Sequence, residues 1–206
     1  MHSFVKPTRI TLSAAKNITQ LITNVIVGDM RPVNLVEGHN FRKLIEAIAP
    51  GYNLPGRSTF TRKIEVDFLE CKTKMKSIFK NAKNIALTTD MWSSVKMASF
   101  VGVTAHFLDT SNFKLKLYML ATKEVAESHT GENLGAWIEA ILAEYEISPF
   151  QVTAIVTDNG ANIVKACGLL KEKFPHWSHI SCAAHTLQLC VKEALQLQQV
   201  KQAVGK

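Results

Sequence analysis

The sequence holds no apolar run approaching the ~20 residues that cross a bilayer, and Met1 to Lys16 lacks the apolar centre of a secretory signal. The expectation is a soluble intracellular protein with no membrane partner. Cysteine is scarce. Cys71, Cys167, Cys182 and Cys190 are scattered without a paired CxxC, so neither a four-cysteine zinc site nor a disulfide framework is encoded, and reduced thiols are the default. Internal repeats and low-complexity tracts are absent as well, which sets aside solenoids and disordered tails. What is there is ordinary globular material: 47% hydrophobic in 206 residues with a mean hydropathy of +0.05. That is enough for one compact domain with an appendage.

The net charge of +7 becomes informative when it is divided along the chain. Residues 1–83 carry 14 Lys or Arg against 6 Asp or Glu, whereas residues 84–206 carry 10 against 11. All the excess positive charge therefore sits in the first segment. Basic surface gathered on one part of a protein points to phosphate contacts and salt-sensitive nucleic-acid binding. Its plain alternative is a solvated helical face.

Periodicity separates the same two segments. Ala14 to Val27 is a short amphipathic stretch, and His39 to Ile48 repeats the pattern, with Phe41, Leu44, Ile45 and Ile48 on one side before Pro50 and Gly51 stop it. Ser58 then suits the N-cap of a long helix whose apolar stripe runs through Phe60, Ile64, Phe68, Cys71, Met75 and Ile78. Its outer faces carry Arg57, Arg62, Lys63, Lys72, Lys74, Lys76, Lys80 and Lys83, which either grip a DNA backbone or solvate the helix. From Asn84 the texture becomes β-branched. Ile85 to Trp92, Phe100 to Leu108 and Leu115 to Thr122 read as three antiparallel strands. They are followed by a helix from Glu132 to Tyr145, a buried strand from Val152 to Thr157 and a helix from Ile163 to Phe174. A short strand from His179 to Cys182 leads into a last helix from Ala183 to about Val200. A meander followed by crossover helices gives an α/β mixed sheet with flanking helices. The order fits an RNase H-like fold and the opening of several other α/β folds.

Two acids each end a hydrophobic strand: Asp90 follows Ile85 to Thr89, and Asp158 follows Ala154 to Thr157. In a sheet of this kind the first and fourth strands are neighbours, so the carboxylates face one another. Paired carboxylates are hard oxygen ligands for divalent ions, and two Mg²⁺ about 3.5 to 4 Å apart activate water and stabilise the leaving oxygen in phosphodiester cleavage. The competing reading is structural, since Asp-Asn-Gly is a common turn and an Asp at a strand end often caps a helix.

Four stretches then carry a family resemblance: Leu87-Thr88-Thr89-Asp90-Met91-Trp92-Ser93-Ser94, His129-Thr130-Gly131-Glu132-Asn133-Leu134, Val156-Thr157-Asp158-Asn159-Gly160-Ala161-Asn162, and Cys182-Ala183-Ala184-His185-Thr186-Leu187-Gln188-Leu189. In order and spacing they resemble hAT transposases and the BED-zinc-finger proteins derived from them. Upstream, Asp29 to Val33, Val36 to Gly38 and Tyr52 to Arg57 look like the helical region that precedes the family's core. The resemblance implies an RNase H-like core in residues 84–206 behind a helical, basic, DNA-contacting region in residues 1–83. It makes Asp90 and Asp158 the first two acids of an Asp-Asp-Glu triad that holds Mg²⁺ or Mn²⁺ for cleavage and strand transfer. Cys182 and His185 match the family's Cys-x-x-His signature. Two ligands cannot close a zinc site, so a buried Cys182 and a hydrogen-bonded His185 at the helix start are expected. His176 and His179 lie nearby at irregular spacing for a zinc set, and Trp92 reads as a packing residue.

The sequence departs from the family pattern after the last strand, where a large helical insertion and then the Glu-bearing helix are expected. Lys206 comes before either, and Glu193 is a poor substitute. A BED finger and a C-terminal dimerisation segment are likewise not represented. Three readings follow: a DNA-binding transposase-like core, weak in metal and inactive as a fragment, whose full-length form is nuclear and oligomeric; a host-adopted nuclear DNA-binding or transcription-regulatory module using the fold as scaffold; and a small complete nuclease. The last needs further carboxylates, and its candidates Glu132 and Glu139 are poorly placed.

Overall fold

The computed structural model describes residues 10–95, 98–125 and 128–197, and the chain forms two compact units, Met1–Lys74 and Met75–Lys206. Lys96 and Met97, between the first two expected strands, and the part of the last expected helix beyond residue 197 lie outside the described residues. Among those described, no helix is long and apolar enough to cross a membrane.

The first unit is helical. Helix α1 (Leu12–Gly28) starts at Thr11, whose hydroxyl accepts the Ala14 N–H at 3.2 Å and so satisfies one of the amides that a helix start leaves open. A 3₁₀ turn (Val33–Glu37) leads to α2 (His39–Ile48) and then to α3 (Arg57–Asn81), which begins one residue ahead of the expected cap. Ile22, Ile26, Val36, Ile45 and Phe60 form the core, flanked by Phe41, Tyr52 and Ile64. Leu44 and Ile48 of the expected α2 stripe are exposed instead.

The stripe read along α3 is also interrupted. Phe60 and Ile64 pack on the first core and Met75 on the second, while Phe68 and Cys71 between them are exposed, as is Ile78. Phe79 and Ala82 take the buried positions at the far end. One helix supplies apolar residues to two separate cores, and periodicity alone merges them into a single line.

In the second unit Asn84, at φ 54°, turns the chain from α3 into the sheet, a left-handed conformation that asparagine tolerates. Strands β1 (Ile85–Ser93), β2 (Ser99–Asp109) and β3 (Lys114–Val125) form an antiparallel meander; α4 (Gly131–Glu144), β4 (Val152–Thr157), α5 (Ala161–Lys173), β5 (Ser178–Ser181) and α6 (Ala183–Gln196) follow. The strand order is β3-β2-β1-β4-β5, with β4 parallel to both β1 and β5. This is the RNase H-like mixed sheet with flanking helices.

Strand parity divides the sheet into two faces. Ile85, Leu87, Val101, Val103, Ala105 and Phe107 point into the core with α4, α5 and the end of α3. Phe79 is fully buried there, edge-on to Phe107, Tyr118 and Tyr145. Gln151 closes the end of α3 by donating its side-chain amide to the carbonyls of Phe79 and Ala82, at 2.8 and 2.7 Å, which pairs two of the carbonyls a helix end leaves open. The alternate residues Ala86, Thr88, Asp90 and Trp92 stand on the opposite face.

Candidate functional site

The parallel pairing of β1 with β4 runs through Leu87 with Ile155 and Thr88 with Val156. Asp90 lies two residues past the last of these pairs in β1, and Asp158 two residues past it in the turn that follows β4, so both fall at the same end of the neighbouring strands. Asp90 is exposed and lies opposite Gly102 of β2; its Oδ1 accepts the Met91 N–H at 2.9 Å. Asp158 is half-buried in the turn between β4 and α5, where its Oδ1 accepts the Gly160 N–H at 3.1 Å. A Cβ on Gly160 would meet that same oxygen at 3.1 Å, so the absence of a side chain lets the carboxylate approach the amide. Each carboxylate is thus oriented by a backbone amide and retains further acceptor lone pairs.

Trp92 is 43% exposed, stacks on Phe100 at 5.9 Å between ring centroids, and covers Gly102, where an added Cβ would come within 3.1 Å of the indole. It packs against its own sheet beside Asp90. Behind Asp90 on the same face, Thr88 and Thr104 share a very short hydrogen bond and Thr104 contacts His106 Nε2 at 2.8 Å.

Cys182 and His185 come to this end through β5. Cys182 is half-buried at the N-cap of α6, and its N–H donates to the Thr157 carbonyl at 2.7 Å. His185 is half-buried on the first turn of α6. Asn159 reaches Thr186 of the same turn at 3.5 Å. Among the described residues no group of three or more His, Cys, Asp and Glu is arranged to hold a metal ion.

The remaining candidates sit apart. Glu132, on the first turn of α4, pairs with Lys165 at 2.7 Å, and that ammonium group holds its carboxyl below the ordinary range. Glu139 pairs with Lys173, and Glu193 is exposed on α6. Along α3, Arg57, Arg62 and Lys74 are exposed and Lys72 is half-buried, while Lys63 pairs with Asp67 at 3.2 Å. Lys76, in the second unit, pairs with Glu146 at 2.8 Å and lowers that carboxyl in turn.

A buried hub at Thr157 is invisible in the sequence. Its hydroxyl lies 2.7 Å from the Asp158 carbonyl and 2.8 Å from His179 Nε2, and it also hydrogen-bonds the buried Cys167 thiol, which burial pushes up to about 11. Only the β4–β5 register brings these side chains together, since His179 is 22 residues away from Thr157 along the chain.

Residues 88–186, which include Asp90, Asp158, Cys182 and His185, match the ZBED1 RNase-like domain. Among known proteins the chain is 28% identical to tpeD of Talaromyces stipitatus, named as a transcriptional regulator, over 95% of this chain and 24% of that one. It is 28% identical to human zinc finger BED domain-containing protein 4, over 91% of this chain and 16% of that one. It is also 28% identical to the Hobo transposase of Drosophila melanogaster, over 80% and 27%. The chain thus spans between 16% and 27% of the length of these relatives. With its sheet in the order β3-β2-β1-β4-β5 and an RNase-like match that runs from β1 to the first turn of α6, this chain is similar to hAT transposases and the BED zinc finger proteins.

Proposed function

We propose that these residues are the DNA-handling core of a transposase-derived nuclear protein, in which Asp90 and Asp158 are two of the three acids of an Asp-Asp-Glu site. The observation that supports this reading is that Asp90 and Asp158 each lie two residues past the last β1–β4 pair, each with its carboxylate accepting a backbone amide. Both are hard oxygen donors, the set that Mg²⁺ and Mn²⁺ prefer. A bound divalent ion there would supply Lewis-acid polarisation of a phosphodiester and a more acidic water. The chain's own part is to orient each carboxylate, Asp90 through the Met91 amide and Asp158 through the Gly160 amide. With no third carboxylate joining them among the described residues, metal is held weakly and cleavage by these 206 residues alone is slight.

The basic face of α3 is the proposed DNA contact, with Arg57, Arg62 and Lys74 its exposed members. Lys63 and Lys76 contribute less because carboxylates already engage them. Binding of this kind depends on released counterions, so affinity falls steeply with salt. A second reading, a regulatory module that binds DNA without cutting it and uses the fold as scaffold, is favoured by the likeness to a protein named as a transcriptional regulator across 95% of this chain.

A gel-shift titration of duplex DNA between low and moderate salt tests the contact. Arg62→Glu with Lys74→Glu should flatten the salt slope and weaken binding, whereas binding that ignores both salt and charge reversal removes DNA from the account. Mg²⁺-dependent nicking that Asp90→Asn abolishes would decide for the cutting core over the regulatory module.

A further inference from the structure

The hub behind Asp158 has a definite proton arrangement. A threonine hydroxyl holds one hydrogen and two lone pairs. That of Thr157 is fully buried, at 1% exposure, and sends its hydrogen to the Asp158 carbonyl at 2.7 Å. The 2.8 Å contact with His179 Nε2 must then be a bond donated by the imidazole, which fixes the Nε2–H tautomer. The hydroxyl is thus held from two sides, by the carbonyl it donates to and the imidazole it accepts from. Thr157 is also tied at its own carbonyl by the Cys182 N–H at 2.7 Å. Asp158 therefore leaves β4 between a locked carbonyl on one side and the Gly160 N–H on its carboxylate on the other.

We propose that His179 is a positioning residue for Asp158: by donating to the Thr157 hydroxyl it holds the Asp158 carbonyl, and with it the direction in which the carboxylate points. This rests on the reading of Asp158 as a cation ligand. The ring sits on β5, a short strand whose other residues are exposed, so it is not placed there to fill a deep core. Side chains that act on a metal ligand at one remove change metal affinity without touching the ion.

The test compares His179→Ala, His179→Gln and Thr157→Val in the full chain, with His106→Ala as a control that removes a half-buried histidine from another strand. Two readouts are taken: hydrogen exchange at the Gly160 and Cys182 amides, and Mn²⁺ affinity from the paramagnetic resonance of the free ion. His179→Ala and Thr157→Val should speed Gly160 exchange and weaken Mn²⁺ by roughly tenfold, with the Gln variant, whose amide still donates, within about threefold of the unsubstituted chain. His106→Ala should leave Gly160 exchange unchanged. Equal damage from Gln and Ala would overturn the proposal, because it would show that ring volume matters and the donated bond does not. Unchanged Gly160 exchange in His179→Ala and Thr157→Val would overturn it too. If the unsubstituted chain binds no Mn²⁺, or Asp158→Asn binds it equally well, the cation reading fails; the exchange comparison between Ala and Gln then decides the positioning claim alone.

Discussion

The two faces of the β1–β2 ribbon are cut from the same strands, yet one holds the second unit together and the other carries Asp90, the proposed cation ligand. Leu87, Val103 and Ala105 are buried to within 1% of complete, while Thr88, Asp90, Trp92 and His106 alternate with residues of this kind and remain half-buried or exposed. Substitutions one residue apart should therefore act on different quantities, stability on one side and ligand binding on the other.

The largest effect is expected on the buried side. Phe79→Ala removes a fully buried ring that meets three other aromatic rings. It should lower unfolding free energy by about 3–5 kcal/mol, with Leu87→Ala close behind; chemical denaturation checks both. Across the sheet, Asp90→Asn should change stability by no more than about 0.5 kcal/mol while removing divalent-ion binding. A loss of stability comparable to that of Leu87→Ala would break the division between faces.

Gly102→Ala probes the boundary, since the new methyl meets Trp92 at 3.1 and 3.3 Å. The half-exposed ring can tilt outward, so a cost of about 1 kcal/mol and a shifted Trp92 indole resonance are expected.

Cys167 gives the most selective effect, confined to alkaline pH. Its pKa is raised by burial from 9.0 to about 11, so its contribution to stability is complete below pH 9 and lost as pH rises through about 11. Denaturation midpoints of the unsubstituted chain and Cys167→Ala should converge across that window. At neutral pH a thiol reagent should modify the exposed Cys71 and Cys190 first and reach Cys167 only after unfolding.

Much of the scaffold was legible because its signals are local. The Val152–Thr157 strand and the His39–Ile48 helix coincide with their patterns, and the neighbouring of the first and fourth strands follows from element order. The α3 stripe was misread because a periodic line cannot say that Phe60 and Phe79 serve different cores. Likewise the bed of Trp92 on Gly102 and Phe100 depends on cross-strand register. The bond from His179 to Thr157 depends on parallel pairing between strands separated by a helix, for which no residue spacing provides a sign.

Whether Asp90 and Asp158 act on one ion is measured directly by a Mn²⁺ titration followed by the broadening of backbone amide signals. The Met91 and Gly160 amides, each bonded to one of the two carboxylates, should broaden together at the same Mn²⁺ concentrations, and either Asp90→Asn or Asp158→Asn should abolish both effects. Broadening of one amide without the other, or centred on a different acid such as Asp109, would contradict a shared ion.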